Sequence, residues 1–291
     1  MGDTRGAIVV TGSSSGIGRA CALALHRAGF RVYAGVRKDK DAEALRALAS
    51  PALTPLFLDI TNDQQIATAV RTVLADVGDA GLAGLVNNAG VGFLGPLEFL
   101  PLEHLQQELA INVTGQLAVT QAFLPAIRRA RGRIVNIGSI AGKIALPFAG
   151  AIAVSKHGME ALNDVLRMEL APWGVHVIMV RPGLIRTEAP EKAYPIAQKM
   201  VEDLPPEGKT YFEAILRKFN ETFIATNRAG SPPEVIAAVV LKALTTARPS
   251  LHYSAGKEAF KGLFAASTLP DRILDRVRKG FAGLPVKFGG L

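Results

Sequence analysis

Cysteine is almost missing from this chain: Cys21 is the only one in 291 residues. No internal disulfide can form, so stability has to come from a buried core. Cys21 itself is expected to be small apolar filler on the first helix rather than a reactive thiol. Aromatic residues are scarce too, at 6% of the chain, with one tryptophan and four tyrosines. The basic clusters at 37–40, 128–133 and 272–279 therefore carry no interleaved rings. That favours a solvated surface over nucleic-acid binding as the meaning of the net charge of +8. Binding to nucleic acid would show itself by a steep salt dependence. No apolar run approaches the roughly 18 residues of a membrane span, so no stable membrane insertion is expected. The first apolar run, Ala7–Val10, is far too short for a signal peptide. Gly6 stands where a myristoylation motif needs serine or threonine. The expectation is a cytoplasmic protein with no nucleic-acid partner and no metal.

What is present alternates. β-rich runs at Ala7–Thr11, Arg31–Val36, Leu56–Leu58, Leu82–Asn87, Arg133–Ile137 and Val175–Val180 are separated by helical stretches at Gly16–Gly29, Asp41–Ala49, Asp63–Val77, Leu102–Ala130 and Ala151–Leu170. The helix from Leu102 is expected to break or end near Pro125. Near-continuous apolar strands joined by helix-length crossovers predict a parallel sheet buried on both faces. The fold class is a Rossmann-like, doubly wound sheet of about seven strands with helices on both sides, and 1–291 reads as one dinucleotide-binding domain. The pattern degrades over 188–230, which holds Pro190, Pro195, Pro205 and Pro206 and one clear helical run at Tyr211–Phe223. That segment reads as an insertion over the sheet, a lid or substrate loop. Pro232–Thr245 is then a helix and Leu251–Ser254 a strand, and 256–291 is a tail with a basic helix at Asp271–Phe281.

Thr11-Gly12-Ser13-Ser14-Ser15-Gly16-Ile17-Gly18 follows a strand and opens a helix. In that context a glycine loop means phosphate binding. The glycines let the backbone approach a pyrophosphate, and the helix start supplies N–H groups and partial positive charge. The three-residue gap between Gly12 and Gly16 resembles the loop of the short-chain dehydrogenase/reductase family, and further motifs resemble that family in order. Asn87-Asn88-Ala89-Gly90 is similar to the motif that ends the fourth strand and borders the adenine ribose. Asp59-Ile60 is similar to the pair that meets the adenine. Asn112 resembles the mid-helix asparagine whose backbone kink holds a proton-relay water. Ser139 resembles the serine that orients the substrate carbonyl. Pro182-Gly183, with Ile185 and Thr187, resembles the turn that clasps the nicotinamide carboxamide. The resemblance covers roughly 5–255 and is weakest over 188–230. It implies a homodimer or homotetramer.

Cofactor choice turns on the end of the second strand. An acid there holds the ribose hydroxyls and repels a 2′-phosphate; a base favours the phosphate. Val36 occupies the acid's place and Arg37 follows, with Lys38 and Arg19 able to add charge. This reads as NADP(H) over NAD(H).

The resemblance also implies a catalytic tyrosine four residues before Lys156 and thirteen after Ser139. That residue is Ile152. Isoleucine has no proton to give, and losing a general acid typically costs about 10²–10⁴ in rate. Lys156 would keep a grip on the cofactor ribose, and Ser139 could still polarise a carbonyl. Tyr194 and Tyr211, in the variable segment, could reach over, whereas His157 is turned about 100° from Lys156 on a helix. Three origins fit: loss of ordinary carbonyl chemistry, a substrate that needs no tyrosine acid, or deliberate inactivation, for which phenylalanine is the more usual choice. The phrase Val32-Tyr33-Ala34-Gly35-Val36-Arg37 and the long segment after Thr187 resemble the branch acting on steroids, retinoids and other lipophilic alcohols or ketones. The expectation is an NADP(H)-dependent oxidoreductase of reduced or altered activity on an apolar carbonyl or alcohol. The alternative is a protein that holds NADP(H) without turnover, as a regulator or scaffold.

Overall fold

The structure is a computed structural model that describes residues 5–48, 52–285 and 287. Seven strands form one sheet: β1 Ala7–Val10, β2 Arg31–Val36, β3 Leu53–Phe57, β4 Gly84–Asn87, β5 Arg133–Ile137, β6 His176–Pro182 and β7 His252–Ala255. Their order is β3-β2-β1-β4-β5-β6-β7 and every pairing is parallel. The order runs outward in one direction from β1 and in the other from β4. The gap between the loops leaving those two strands is the topological switch point, where a doubly wound sheet binds ligands. The glycine loop leaves β1 and Asn88–Gly90 leaves β4, so both motifs face that crevice.

Helices cover both faces. On one side α1 (Gly16–Arg27) packs on α9 (Glu234–Thr245). Cys21, Leu25, Val32, Ile178 and Val240 are buried there. On the other, α3 (Asp63–Val77), α5 (Gln116–Ala130) and α6 (Gly150–Leu170) bury Val73, Phe123, Ile127 and Leu166 against Leu85 and Ile134. Burial pushes the Cys21 thiol up to about 12, which leaves it protonated filler. The remaining helix of the first half is α2 (Asp39–Leu48).

Three expectations need correcting. The helix from Leu102 is neither broken nor ended at Pro125, which sits inside α5. It is interrupted earlier: α4 (Leu102–Leu109) passes through one π-helical turn, Ala110–Gly115, into α5. The cause is Asn112. Its side chain accepts from the Val91 N–H and donates to the Val91 carbonyl, both at 2.9 Å. Such an insertion unwinds the helix locally. The stretch 188–230 is not irregular but two helices, α7 (Ala189–Glu202) and α8 (Pro206–Arg228). Pro190 and Pro206 fall in first turns, where a missing N–H costs nothing. The tail holds a second helix, α10 (Ala259–Thr268), before α11 (Asp271–Ala282). The end of the expected tail, 288–291, lies outside the described residues.

The helices α7 and α8 carry a small core of their own around Met200, Val201, Leu204, Leu216 and Phe219. Phe148 joins it, edge-on to Phe212 and Phe219. Phe148 adopts φ 64°, a left-handed conformation that costs a bulky residue about 1–3 kcal/mol. Its carbonyl takes the Gly95 N–H at 2.8 Å, and α6 begins two residues later. The pair α7–α8 is thereby anchored to the start of α6.

Candidate active site

The phosphate loop is held from beneath by the end of β4. Asn88 donates its side-chain amide to the carbonyls of Thr11 and Gly12, at 2.9 and 3.0 Å. The Thr11 hydroxyl accepts the N–H groups of Asn88 and Ala89. Two glycines have no alternative here. A Cβ on Gly18 would lie 2.2 Å from the Gly12 carbonyl oxygen. Gly12 has φ +66°, and a Cβ on it would sit 2.8 Å from Ala89 Cα. Ser15, extended at the head of α1, makes no side-chain cap, and the first turn has no acid. Uncapped N–H groups at a positive helix end, beside a backbone stripped of side chains, fit a pyrophosphate. Ser14 and Ile17 lie in the same loop, and a Cβ on Gly16 would be 3.2 Å from Thr187.

Gly90 lies against Asn112, and the Ala89 carbonyl accepts from Gln116. Gly183 approaches the Lys257 carbonyl so closely that a Cβ would be 2.3 Å away. Pro182 ends β6, and Ile185 is buried against Gly256. Ile60 is buried, and its carbonyl lies under Gly115. Arg37 is 63% exposed just past β2, 3.8 Å from Asp59. Burial alone would raise the Asp59 pKa, but hydrogen bonds from the Thr61 hydroxyl and N–H, then the Arg37 charge, hold it below the usual value.

A buried polar ladder backs the crevice. Asn87 donates to Thr120 and to Asn136, each at 2.9 Å, and Asn136 donates to Asn163 at 3.0 Å. These groups tie β4 and β5 to α5 and α6. At the end of β5, Ser139 accepts the Ala141 N–H at 3.0 Å, which caps a short 3₁₀ turn. The Lys156 amine donates to the Ile137 carbonyl at 3.2 Å. The Lys156 amine therefore reaches the same end of β5 that Ser139 follows. Desolvation draws the Lys156 pKa down to about 8, opposed by the charge of Glu108. Ile152 lies one turn before Lys156 on α6 and packs on Gly92, where a Cβ would fall 2.9 Å from its Cδ1.

Three of the tyrosines have partners of their own. Tyr33 bonds Asp76, the Tyr253 hydroxyl accepts the Ser250 N–H, Tyr211 packs on Phe212, and Tyr194 lies on α7. His157 donates to the Ala153 carbonyl of its own helix at 2.8 Å, turned away as its position predicts.

Three residues escaped sequence reasoning. Glu108 is buried on α4 and accepts from Ser155 at 2.9 Å and from the Phe93 N–H at 3.0 Å. Its spacing of four from Asn112 was the available signal. Ser155 was visible only as the neighbour of Lys156. Lys192, on α7, donates to the Ser15 hydroxyl at 3.1 Å and pairs with Glu188 at 2.7 Å. Glu188 also faces Arg19 at 3.9 Å, so α7 is latched to the phosphate loop by side chains alone. A separate cleft of about 530 Å³ lies between α4 and α7, lined by Phe99, His104, Pro195, Met200 and Leu204, and touches neither Ser139, Ile152 nor Lys156. Among the described residues no helix is long and apolar enough to cross a membrane, and no side-chain cluster could hold a metal ion.

Residues 6–195 match the family model for short chain dehydrogenase. Retinol dehydrogenase 5 of Mus musculus is 39% identical over 276 residues, covering 93% of this chain and 86% of the relative. The 17-beta-hydroxysteroid dehydrogenase type 6 of Homo sapiens is 36% identical, again over 93% and 86%. Mitochondrial D-beta-hydroxybutyrate dehydrogenase of Rattus norvegicus is 37% identical over 85% and 76%. Among solved structures, a short-chain dehydrogenase from Streptomyces avermitilis superposes with a TM-score of 0.78 at 26% identity, over 97% of this chain and 99% of that one. Another from Burkholderia cenocepacia, in complex with NADP, gives 0.72 at 28% identity, over 94% and 98%. Fold, phosphate loop and sequence relatives agree: the chain belongs to the short-chain dehydrogenase family.

Proposed function

We propose that this oxidoreductase uses NADP(H) on a lipophilic alcohol or ketone, and that Ile152, in the place of the family's tyrosine acid, holds its rate down. The observation that carries the reading is the Lys156 amine on the Ile137 carbonyl, two residues before Ser139, with Ile152 one helical turn before the lysine. The bound reduced nicotinamide would supply a hydride. Gly12, Gly16 and Gly18 would admit its pyrophosphate, Asn88–Gly90 would border its ribose, and Lys156 would hold the ribose near the reacting carbon. Ser139 would orient a carbonyl by donating its hydroxyl proton. Lipophilic substrates are supported by the retinol and steroid dehydrogenases among the relatives. The segment 188–230 serves as the substrate lid.

The phosphorylated cofactor is supported by Arg37, exposed and without an acid at Val36. A charge-assisted contact to the 2′-phosphate is worth about 1.5–3 kcal/mol. NADPH should raise the melting temperature more than NADH at equal concentration. Arg37→Ala should weaken NADPH by about tenfold or more and leave NADH unchanged. Equal stabilisation by both dinucleotides in the unaltered chain sinks the preference. Stabilisation without turnover across a panel of ketones and alcohols would make the protein a binder instead.

The outer face of α6 leaves Val154, Val165 and Met168 about half exposed, which supports pairing as a homodimer or homotetramer. Sedimentation equilibrium should give a mass above one chain. Met168→Glu should lower it.

A further inference from the structure

Glu108 is completely buried, yet the three groups that donate to it are neutral: the Phe93 N–H, the Ser155 hydroxyl and, at 3.3 Å, the Asn112 amide. A buried carboxylate is costly unless a cation compensates it. Burial pushes the Glu108 pKa up, against the bonds from the Phe93 N–H and Ser155 and the charge of Lys156, the residue after Ser155. The Ser155 hydroxyl also lies 3.1 Å from the Ile152 carbonyl, and Asn112 donates to Ser155 at 3.0 Å. One network therefore fixes the turn of α6 that carries both Ile152 and Lys156.

Other charges near this turn are spent elsewhere. Glu160, one turn on, is clasped by Arg181 and Lys143. Asp164 faces Arg167 and His252. His104, on α4, is stacked on Phe93, and His157 is bonded to its own helix. On the strand side, the Lys156 amine meets the Ile137 carbonyl, two residues before Ser139. The hydroxyl that would orient a carbonyl and an ammonium able to protonate it thus share one end of β5.

We propose that Lys156 is the proton donor to the reacting oxygen in this chain, and that Glu108 is a positioning residue that keeps Lys156 charged for the task. The inference rests on the oxidoreductase reading above. In reduction, a bound reduced nicotinamide would supply a hydride to the carbonyl carbon, and the π pair would move to oxygen. The oxygen takes a proton from Nζ, leaving a neutral amine, which recovers a proton from water. In oxidation the neutral amine accepts the alcohol proton. A lysine shifts readily on burial, which suits it to acid and base work near neutrality. With its ammonium drawn to about 8, reduction should be flat below that pH and fall above it. The Glu108 charge raises the Lys156 pKa, so removing that charge must move the fall to lower pH.

Two measurements test this: the pH profile of kcat for ketone reduction with NADPH, and an NMR titration of the Lys156 ¹³Cε resonance in the cofactor-free protein. Glu108→Gln keeps the size and an acceptor for Ser155. It should shift both the kinetic limb and the NMR titration down by about half a unit or more. Glu108→Asp, which withdraws the carboxylate by one methylene, should move them the same way by less. Lys156→Arg keeps the charge but releases no proton at working pH. It should retain the NADPH thermal shift and lose turnover by about 10² or more. Turnover insensitive to Lys156→Arg overturns the donor role and leaves the oxidoreductase reading standing. An NMR titration unmoved by either Glu108 variant overturns the Glu108 assignment, whatever the turnover. No turnover at all, with NADPH still bound, overturns the donor role and the reading together.

Discussion

Ile152→Tyr is expected to raise kcat for ketone reduction by about 10² or more, with little change in KM and none in the thermal shift given by NADPH. The change adds a phenol to a turn of α6 already held in place. Lys156 lies one turn further on, and its charge would draw the phenol's pKa down toward working pH. Space is available because residue 92 is glycine: the Ile152 Cδ1 already occupies part of what a side chain at 92 would fill. A flat ring can lie along that backbone where a branched residue at 92 would block it. The gain corresponds to about 2.7 kcal/mol of barrier. It falls in kcat because a proton donor acts in the transition state and not in ground-state binding. Stopped-flow or steady-state oxidation of NADPH with a panel of apolar ketones reads it. A variant that binds NADPH as before and is no faster on any of them would show that the missing hydroxyl is not what limits this site.

The same substitution separates two donors. With Ile152 in place, the alkaline limb belongs to Lys156 and responds to Glu108. With tyrosine in place, the limb belongs to the coupled phenol and amine, and Glu108→Gln should matter less.

How much of this was legible in the sequence depended on whether the signal was local. The glycine loop and Asp63–Val77 were readable because each is announced by residues a few positions apart, whereas Asn88 is legible only through its motif, since its partners Thr11 and Gly12 lie 77 and 76 residues away. The glycine at 18 is required by contacts with Gly12 and Asn88, and the spacing alone announces it. The π turn was hidden because the apolar period runs through it unbroken. What unwinds the helix is a bond from Asn112 to Val91, which no periodicity reports. The helices α7 and α8 are hidden because four prolines over 190–206 read as helix breakers. Two of them sit in first turns, and Pro195 is carried inside α7 by packing against α8. Glu108 is hidden for a similar reason. On a helix whose neighbours Gln106 and Gln107 face solvent, a glutamate reads as one more polar surface residue. Only the placement of Ser155 and Phe93 makes it interior.

Behind the site, one buried charge cluster should be as costly to disturb as any core position. Glu160 accepts from Arg181 at 2.7 and 2.6 Å in a two-pronged pair, with Lys143 at 3.3 Å. The carboxylate is 5% exposed and the guanidinium 14%, so neither is well hydrated without the other. The pair joins α6 to β6, and Lys143 adds the turn that follows Ser139. A Cβ on Gly142, in that turn, would already be 3.0 Å from Glu160 Cγ and 2.9 Å from the Lys156 carbonyl. Glu160→Ala leaves Arg181 buried and unpaired, a change that costs about 3–5 kcal/mol. At that size the melting temperature should fall by roughly 5–8 °C. Glu160→Gln, which keeps the acceptor oxygen and the shape but not the charge, should cost less. Glu160→Ala should also raise KM more than it lowers kcat in protein that remains folded, because the Ser139 turn loosens while Lys156 keeps its place on α6. Calorimetry of the two variants against the unaltered chain measures the first effect, and steady-state kinetics the second. A loss below about 1 kcal/mol, the range of an exposed ion pair, would mean that water reaches Arg181 as soon as its partner is gone.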